Sequence, residues 1–219
     1  MRTALEVEQV FDHISYLKGC SVIRMLSSYL TVDIFLQGVS KYLKLHAYGN
    51  AQTNDLWSAL SEVSGHDVKT FMTPWIKNVG FPVVTVAEEP QQISVRQSRF
   101  LLTGDVKPEE DHTIWWIPLG LAQEQETIKV RQEQLTLKDD TLRDVDDGFY
   151  KLNLKQTGFF RTNYPPERLI RLGSRHASLS VEDNVGLIGD SNALAVAGFG
   201  KTAGVLALIE NFKDEGNYL

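Results

Sequence analysis

Apolar residues recur at helical spacing as far as Gly80 and in alternation beyond it. After Gly19, the residues Val22, Met25, Leu26, Tyr29 and Leu30 fall three and four apart, which places them on one face of a helix. Thr31-Val32-Asp33 breaks this run and starts another helix, with Phe35, Val39, Tyr42 and Leu43 as its apolar face. Asn54 or Asp55 is suited to cap a third helix, along which Leu56, Leu60 and Val63 align before Gly65 ends it. Asp67 can cap a fourth, carrying Val68, Phe71, Met72, Trp75 and Ile76. Pro74 lies inside that helix, where its ring removes a hydrogen bond and crowds the preceding turn, so a kink is expected. Upstream, Thr3-Ala4-Leu5-Glu6 fits a capping box, followed by a short helix through Val7, Val10, Phe11 and Ile14. These helices are too one-sided to stand alone in water and require a further layer.

From Phe81 the period changes. Pro82 to Val86, Gln92 to Leu102, Thr113 to Leu121, Thr127 to Gln134 and Tyr150 to Leu154 read as strands, rich in Val, Ile, Phe and Trp. Loops at Glu88-Glu89-Pro90, Gly104 to Asp111 and Asp139 to Gly148 separate them. Short strands with no helices between them predict a small antiparallel sandwich, with Pro118 on an edge or at a bulge. Tyr164-Pro165-Pro166 marks a second boundary, since proline favours the first turn of a helix. Helices are expected over Pro166 to Leu172, Asp183 to Ala197 and Lys201 to Phe212, with Gly198 stopping the middle one.

The 219 residues are 42% hydrophobic and 23% charged, an ordinary globular balance. A formal net charge of −6 argues against sequence-independent binding of nucleic acid, which needs a basic face. No apolar run approaches the ~20 residues of a membrane span, and Met1-Arg2-Thr3-Ala4 lacks the apolar core of a signal peptide. The single cysteine, Cys20, cannot close an internal disulfide and reads as a small core residue. A cytoplasmic location is therefore expected.

The stretch Phe11-Asp12-His13-Ile14-Ser15-Tyr16-Leu17-Lys18-Gly19 changes the picture. Its Ile-Ser-Tyr-x-Lys-Gly pattern ahead of an amphipathic run closely resembles a segment of the zinc aminopeptidases related to aminopeptidase N and the puromycin-sensitive enzyme. The resemblance continues in family order almost to the end of the chain. Trp75-Ile76-Lys77-Asn78-Val79-Gly80-Phe81-Pro82-Val83 resembles the exit of the catalytic domain into the sandwich. Gln97-Ser98-Arg99-Phe100 and Trp116-Ile117-Pro118-Leu119 resemble two sandwich strands. Gly158 to Tyr164 resembles a Gly-aromatic-Tyr-Arg-Val-Asn-Tyr run, with Phe160 and Thr162 as departures, and Asp183 to Asp190 resembles the opening of the C-terminal helices, with Asn184 where the family usually has Arg. The resemblance implies that Tyr16 lies beside the zinc and gives its phenol proton to the tetrahedral intermediate. The chemistry suits the residue type, because a phenol, with an ordinary pKa near 10, stays protonated at neutral pH and can serve an oxygen that turns negative only in the transition state.

The family's zinc ligands, His-Glu-x-x-His on one helix with a later Glu, are not found here; i and i+4 are needed to put both imidazoles on one face. His13, His46, His66, His112 and His176 include no such pair, so no metal ligand is assigned. The Gly-x-Met-Glu-Asn strand that holds the substrate amine in the family is missing too. By family order both would lie upstream of Met1, and the chain is expected to be an internal piece of a longer enzyme. Three other constellations read as structural. Gly189-Asp190-Ser191 resembles an esterase nucleophile block, but no histidine follows it to activate the serine. Asp139, Asp140, Asp144, Asp146 and Asp147 do not follow the calcium-loop spacing and read as a solvated loop. Lys18 reads as a surface lysine.

The fold class expected is multi-domain α + β: residues 1–80 as the helical tail of a thermolysin-like catalytic domain, 81–164 as an antiparallel β-sandwich, and 165–219 as the start of an all-α domain. The function implied is zinc-dependent removal of N-terminal residues from peptides, with Tyr16 as the catalytic residue and zinc bound by no residue of this chain. Without those ligands the chain alone is expected to be inactive. The alternative is a non-catalytic scaffold or binding module that presents the sandwich and an apolar helix face to a partner. Peptide is the expected partner in the complete enzyme, with neither nucleic acid nor membrane. Helices lacking their natural cover would expose an apolar patch and favour self-association.

Overall fold

The computed structural model describes residues 14–124, 128–213 and 215–216. The short helix expected through Val7, Val10, Phe11 and Ile14 lies outside them except for Ile14, which opens a π-helical turn. The chain is of mixed α + β class and divides into two compact units, one of residues 1–75 with 157–159, the other of residues 76–156 with 160–219.

In the first unit a π-helical turn, Ile14–Lys18, leads directly into helix α1, Gly19–Leu30. Val22, Met25, Leu26 and Leu30 of α1 are buried, as their spacing predicts. Cys20 is not a core residue; it is exposed. Two residues before Val22 it is turned about 200° around the helix, onto the solvent side. At Thr31 the backbone takes a φ of 73°, and α2, Val32–Leu45, sets off at 112° to the helix before it. No single helix among the described residues is long and apolar enough to cross a membrane.

Helix α3, Thr53–Ser64, has Gln52 as its N-cap residue, two residues before Asn54 and three before Asp55, the two caps expected. Asp55 sits inside its first turn, and its carboxylate accepts the Gln52 N–H at 2.6 Å. Gly65, at φ 73°, closes it as expected. In helix α4, Val68–Lys77, Asp67 caps the first turn by accepting the Thr70 N–H at 3.0 Å and the Thr70 hydroxyl at 2.6 Å. The helix continues through Pro74. Val68, Phe71, Met72 and Trp75 are buried, whereas Ile76 is exposed.

The apolar face expected for α2 divides in two. Its one buried residue is Gly38, packed so closely on α3 that a Cβ there would fall 2.5 Å from Leu60 Cδ2. Phe35 and Tyr42 flank that contact half-buried, but Leu43 is exposed together with Val32 and Leu36. At i, i+4 and i+11 these three form a second stripe facing away.

The second unit opens with β1, Pro82–Glu89, and β2, Gln92–Arg99, an eight-residue antiparallel hairpin. Among the described residues seven shorter strands follow: β3, Ile117–Pro118; β4, Leu121–Glu124; β5, Ile128–Arg131; β6, Gln134–Leu135; β7, Asp139–Arg143; β8, Tyr150–Lys151; and β9, Arg161–Asn163. They form sheets of order β7-β2-β1-β9, β5-β4-β8 and β3-β6. Among the described residues every pairing is antiparallel except that of β9 with β1, which is parallel. Asp139–Arg143, expected as loop, is an edge strand on β2 with only Leu142 buried. Conversely, Thr113 to Trp116 is not strand. The Gln97 side chain takes the place of a neighbouring strand there, accepting the Trp115 N–H at 2.8 Å and donating to the Trp115 carbonyl at 3.0 Å and the Leu137 carbonyl at 2.7 Å.

Helices α5, Pro166–Ser174, α6, Val181–Val196, and α7, Thr202–Glu210, complete this unit. Ser180, three residues before the expected start, caps α6 by accepting the Asp183 N–H. Gly198, at φ 79°, follows its last turn. Ala193, Leu194 and Ala197 pack with Val83 and Phe100 into one apolar cluster.

Candidate functional site

Tyr16 sits in the π-helical turn that feeds α1 and is 57% exposed. Single π-helical turns are an uncommon backbone form, often found where function needs a side chain re-aimed. The turn is held by the first residues of α1: the Ser21 hydroxyl donates to the Leu17 carbonyl at 2.7 Å, and the Cys20 thiol approaches the same oxygen at 3.5 Å. Lys18 is half-buried rather than fully at the surface, and burial lowers its pKa from the ordinary lysine value. Helix α1 is anchored in turn. Tyr29 stacks on Phe71 with ring centroids 5.1 Å apart, and its hydroxyl lies 3.4 Å from His66 Nδ1. The arrangement leaves Tyr16 more than half exposed at the entry to a half-buried, well-anchored helix.

The histidines have other surroundings. The His46 ring lies beside Tyr42 at 5.4 Å, and the His66 ring is 5.2 Å from Tyr29. His112 Nδ1 meets the Glu109 carbonyl, and the His176 ring lies 4.9 Å from Phe212. His13 lies outside the described residues. Among the described residues no three His, Cys, Asp or Glu side chains group to hold a metal. Among the described residues no set fits a zinc ion.

Ser191 and the acidic run have structural partners. The Ser191 hydroxyl donates to the Leu187 carbonyl of its own helix at 2.6 Å. Its neighbour Asp190 accepts from Arg161 at 2.8 Å and from the Thr162 N–H at 3.0 Å, tying α6 to β9. Burial nevertheless pushes the Asp190 carboxyl above its ordinary pKa, against the pull of those donors. In the acidic run, Asp146 accepts the Gly148 N–H and Asp147 accepts the Gln91 N–H, each at 2.8 Å.

Two buried charged groups have no signature in the local pattern. One is the ion pair of Lys151 with Asp183. The other is Arg168, only 2% exposed, whose Nε donates to Glu88 at 2.6 Å and whose other nitrogens donate to the Gly148 and Asp147 carbonyls. Its guanidinium also lies 4.2 Å from the centre of the Tyr150 ring. Charged residues with these spacings look solvated in sequence; nothing local marks them as buried.

Residues 1–75, which include Tyr16, match the Peptidase family M1 domain, and residues 149–219 match the ERAP1-like C-terminal domain. Over its full length the chain is 44% identical to Aminopeptidase 2 of Candida albicans and 44% identical to the Alanine/arginine aminopeptidase of Saccharomyces cerevisiae, covering 24% and 25% of them. Over 98% of its length it is 36% identical to Aminopeptidase M1-C of Oryza sativa, covering 25% of that protein. The α + β chain carries both matches in this order. It belongs to the M1 aminopeptidase family, and it spans about a quarter of the length of the curated relatives it matches.

Proposed function

We propose that this chain is part of a zinc-dependent aminopeptidase that removes N-terminal residues from peptides, with Tyr16 as its contribution to catalysis. The observation that carries this reading is the exposed phenol of Tyr16 on a π-helical turn inside the M1-matched residues. Membership of the M1 family implies zinc in the full-length enzyme, where a bound zinc ion would supply Lewis acidity; no residue described here is assigned to it. Tyr16 donates its hydroxyl proton in a hydrogen bond to the substrate oxygen that becomes negative as the carbonyl carbon turns tetrahedral. That bond strengthens between ground state and transition state, so it raises turnover more than binding.

In the full-length protein, residues 1–80 close the catalytic domain, 81–164 form the linking sandwich and 165–219 open the C-terminal helices. The proposed compartment is the cytoplasm. The test compares this chain with a form extended upstream to the length of its relatives, assaying peptidase activity and zinc content in both. Activity and bound zinc in the extended form alone support the reading. Neither in both forms moves the assignment to a non-catalytic scaffold, and activity in the short chain places the chemistry elsewhere.

A further inference from the structure

Helix α1 is tied down at two places. Near its C-terminal end the tie is Tyr29 on Phe71 of α4. Nearer Tyr16 it is Met25, 1% exposed, whose Sδ accepts the backbone N–H of Phe159 at 3.4 Å. The Phe159 ring in turn lies 6.4 Å from the ring of Trp75, tilted by 58°, and Trp75 is fully buried. Thr157–Phe159 belongs to the helical unit although Gln156 and Phe160 on either side belong to the other. One short excursion of the chain therefore braces α1 and α4 together. Thioether sulfur is a weak acceptor, so the Met25 contact matters for its geometry more than for its energy. Tyr16 rides on a turn that passes without a break into α1 at Gly19, and its direction follows that helix.

We propose that Phe159 is a positioning residue for Tyr16: by bracing Met25 against Trp75 it fixes α1, and through α1 the point to which the phenol is delivered. The proposal rests on Tyr16 acting as the proton donor. A displacement of ~1 Å in such a group can cost ~10²-fold in rate, so a brace remote from the chemistry acts on turnover while leaving substrate affinity nearly intact.

The experiment is a double-mutant cycle in an aminopeptidase of the relatives' length that carries this sequence. The variants are Phe159→Ala, Phe159→Leu, Tyr16→Phe and the Tyr16→Phe/Phe159→Ala pair, each measured for kcat and KM. Phe159→Ala is expected to lower kcat about tenfold with KM changed by less than about twofold, and Phe159→Leu is expected to restore most of the loss. In the Tyr16→Phe background the same alanine substitution is expected to cost less than about twofold, because there is no phenol left to misplace. Equal losses in both backgrounds would mean a purely structural role and overturn the proposal, as would an unchanged kcat in the Tyr16 background. Where the alanine variant fails to fold, Phe159→Leu and Met25→Leu carry the same comparison. Unchanged turnover in Tyr16→Phe alone would instead remove the catalytic reading of Tyr16, a separate failure that also withdraws this proposal.

Discussion

The ammonium of Lys151 lies 2.7 Å from the carboxylate of Asp183, with the two side chains 2% and 1% exposed. Both ions are satisfied further. Lys151 also donates to the carbonyls of Leu152 and Asn153 at 3.1 Å, and Asp183 accepts from the Lys155 N–H at 2.7 Å and the Ser180 hydroxyl at 2.9 Å. The pair thus joins β8 to the first turn of α6. Burial pulls the Lys151 pKa down, partly offset by the attraction of Asp183. Removing one member of such a pair strands the other charge out of water, at a cost of about 3–5 kcal/mol. Lys151→Met is therefore expected to destabilise the protein by about that amount in urea unfolding. Adding Asp183→Asn is expected to recover part of the loss, since the neutral amide oxygen can still accept from Lys155.

Acid should weaken the same unit through Glu88. Burial raises the pKa of this carboxyl, but donation from Tyr150 and Arg168 and the positive charges of Arg168 and Arg171 outweigh it, and the net shift is downward. A depressed carboxyl contributes stability that is present above its unfolded pKa, about 4.3, and lost as pH falls through the lower folded value. Thermal unfolding followed across that window should show stability falling with pH. Glu88→Gln should flatten the dependence, and an unaltered slope would count against the assignment.

Gly38 is the point of closest approach between α2 and α3. Alanine is intrinsically better than glycine inside a helix by about 1 kcal/mol. At this position, however, its Cβ would stand 2.5 Å from Leu60 Cδ2 and 3.1 Å from Leu60 Cα. Overpacking of this kind costs about 1–3 kcal/mol. Gly38→Ala is expected to lower the thermal midpoint, and a rise would show that the two helices separate without penalty.

Val32, Leu36 and Leu43 on the outer face of α2 are each more than half exposed, as are Leu45 and Tyr48 just beyond. Apolar surface gathered in this way is seldom left to water. This chain by itself is expected to self-associate at micromolar concentration and to bind an apolar dye. A monomer by light scattering, with no dye bound, would contradict this.

Local pattern revealed what local forces decide. The helices α1 and α4 were legible because their buried residues repeat three and four apart, and the β1–β2 hairpin because Val84 and Val86 face Gln97 and Val95 across an alternating pair of strands. Strand β7 was not, because an edge strand with Asp139, Asp140 and Thr141 in solvent shows no apolar alternation. The segment before Trp116 misled for the opposite reason: its side chains alternate, but Gln97 holds its backbone in place of a strand. Asn54 and Asp55 are residue types common at caps, but both lie inside the first turn, where Asp55 accepts the N–H of the actual N-cap residue, Gln52. Of the candidate site, Tyr16 was legible only through its family resemblance. The contact of Met25 with Phe159 spans 134 positions, which no local periodicity can display.

The most direct measurement is the turnover of Tyr16→Phe in an enzyme of the relatives' length, set beside its KM. Phenylalanine keeps the ring and removes only the hydroxyl. Loss of one donor to a developing oxyanion predicts a kcat lower by about 10²–10³-fold with KM little changed. A kcat equal to that of the unaltered enzyme would contradict the assignment of Tyr16 to the chemistry and leave the exposed phenol without a catalytic role.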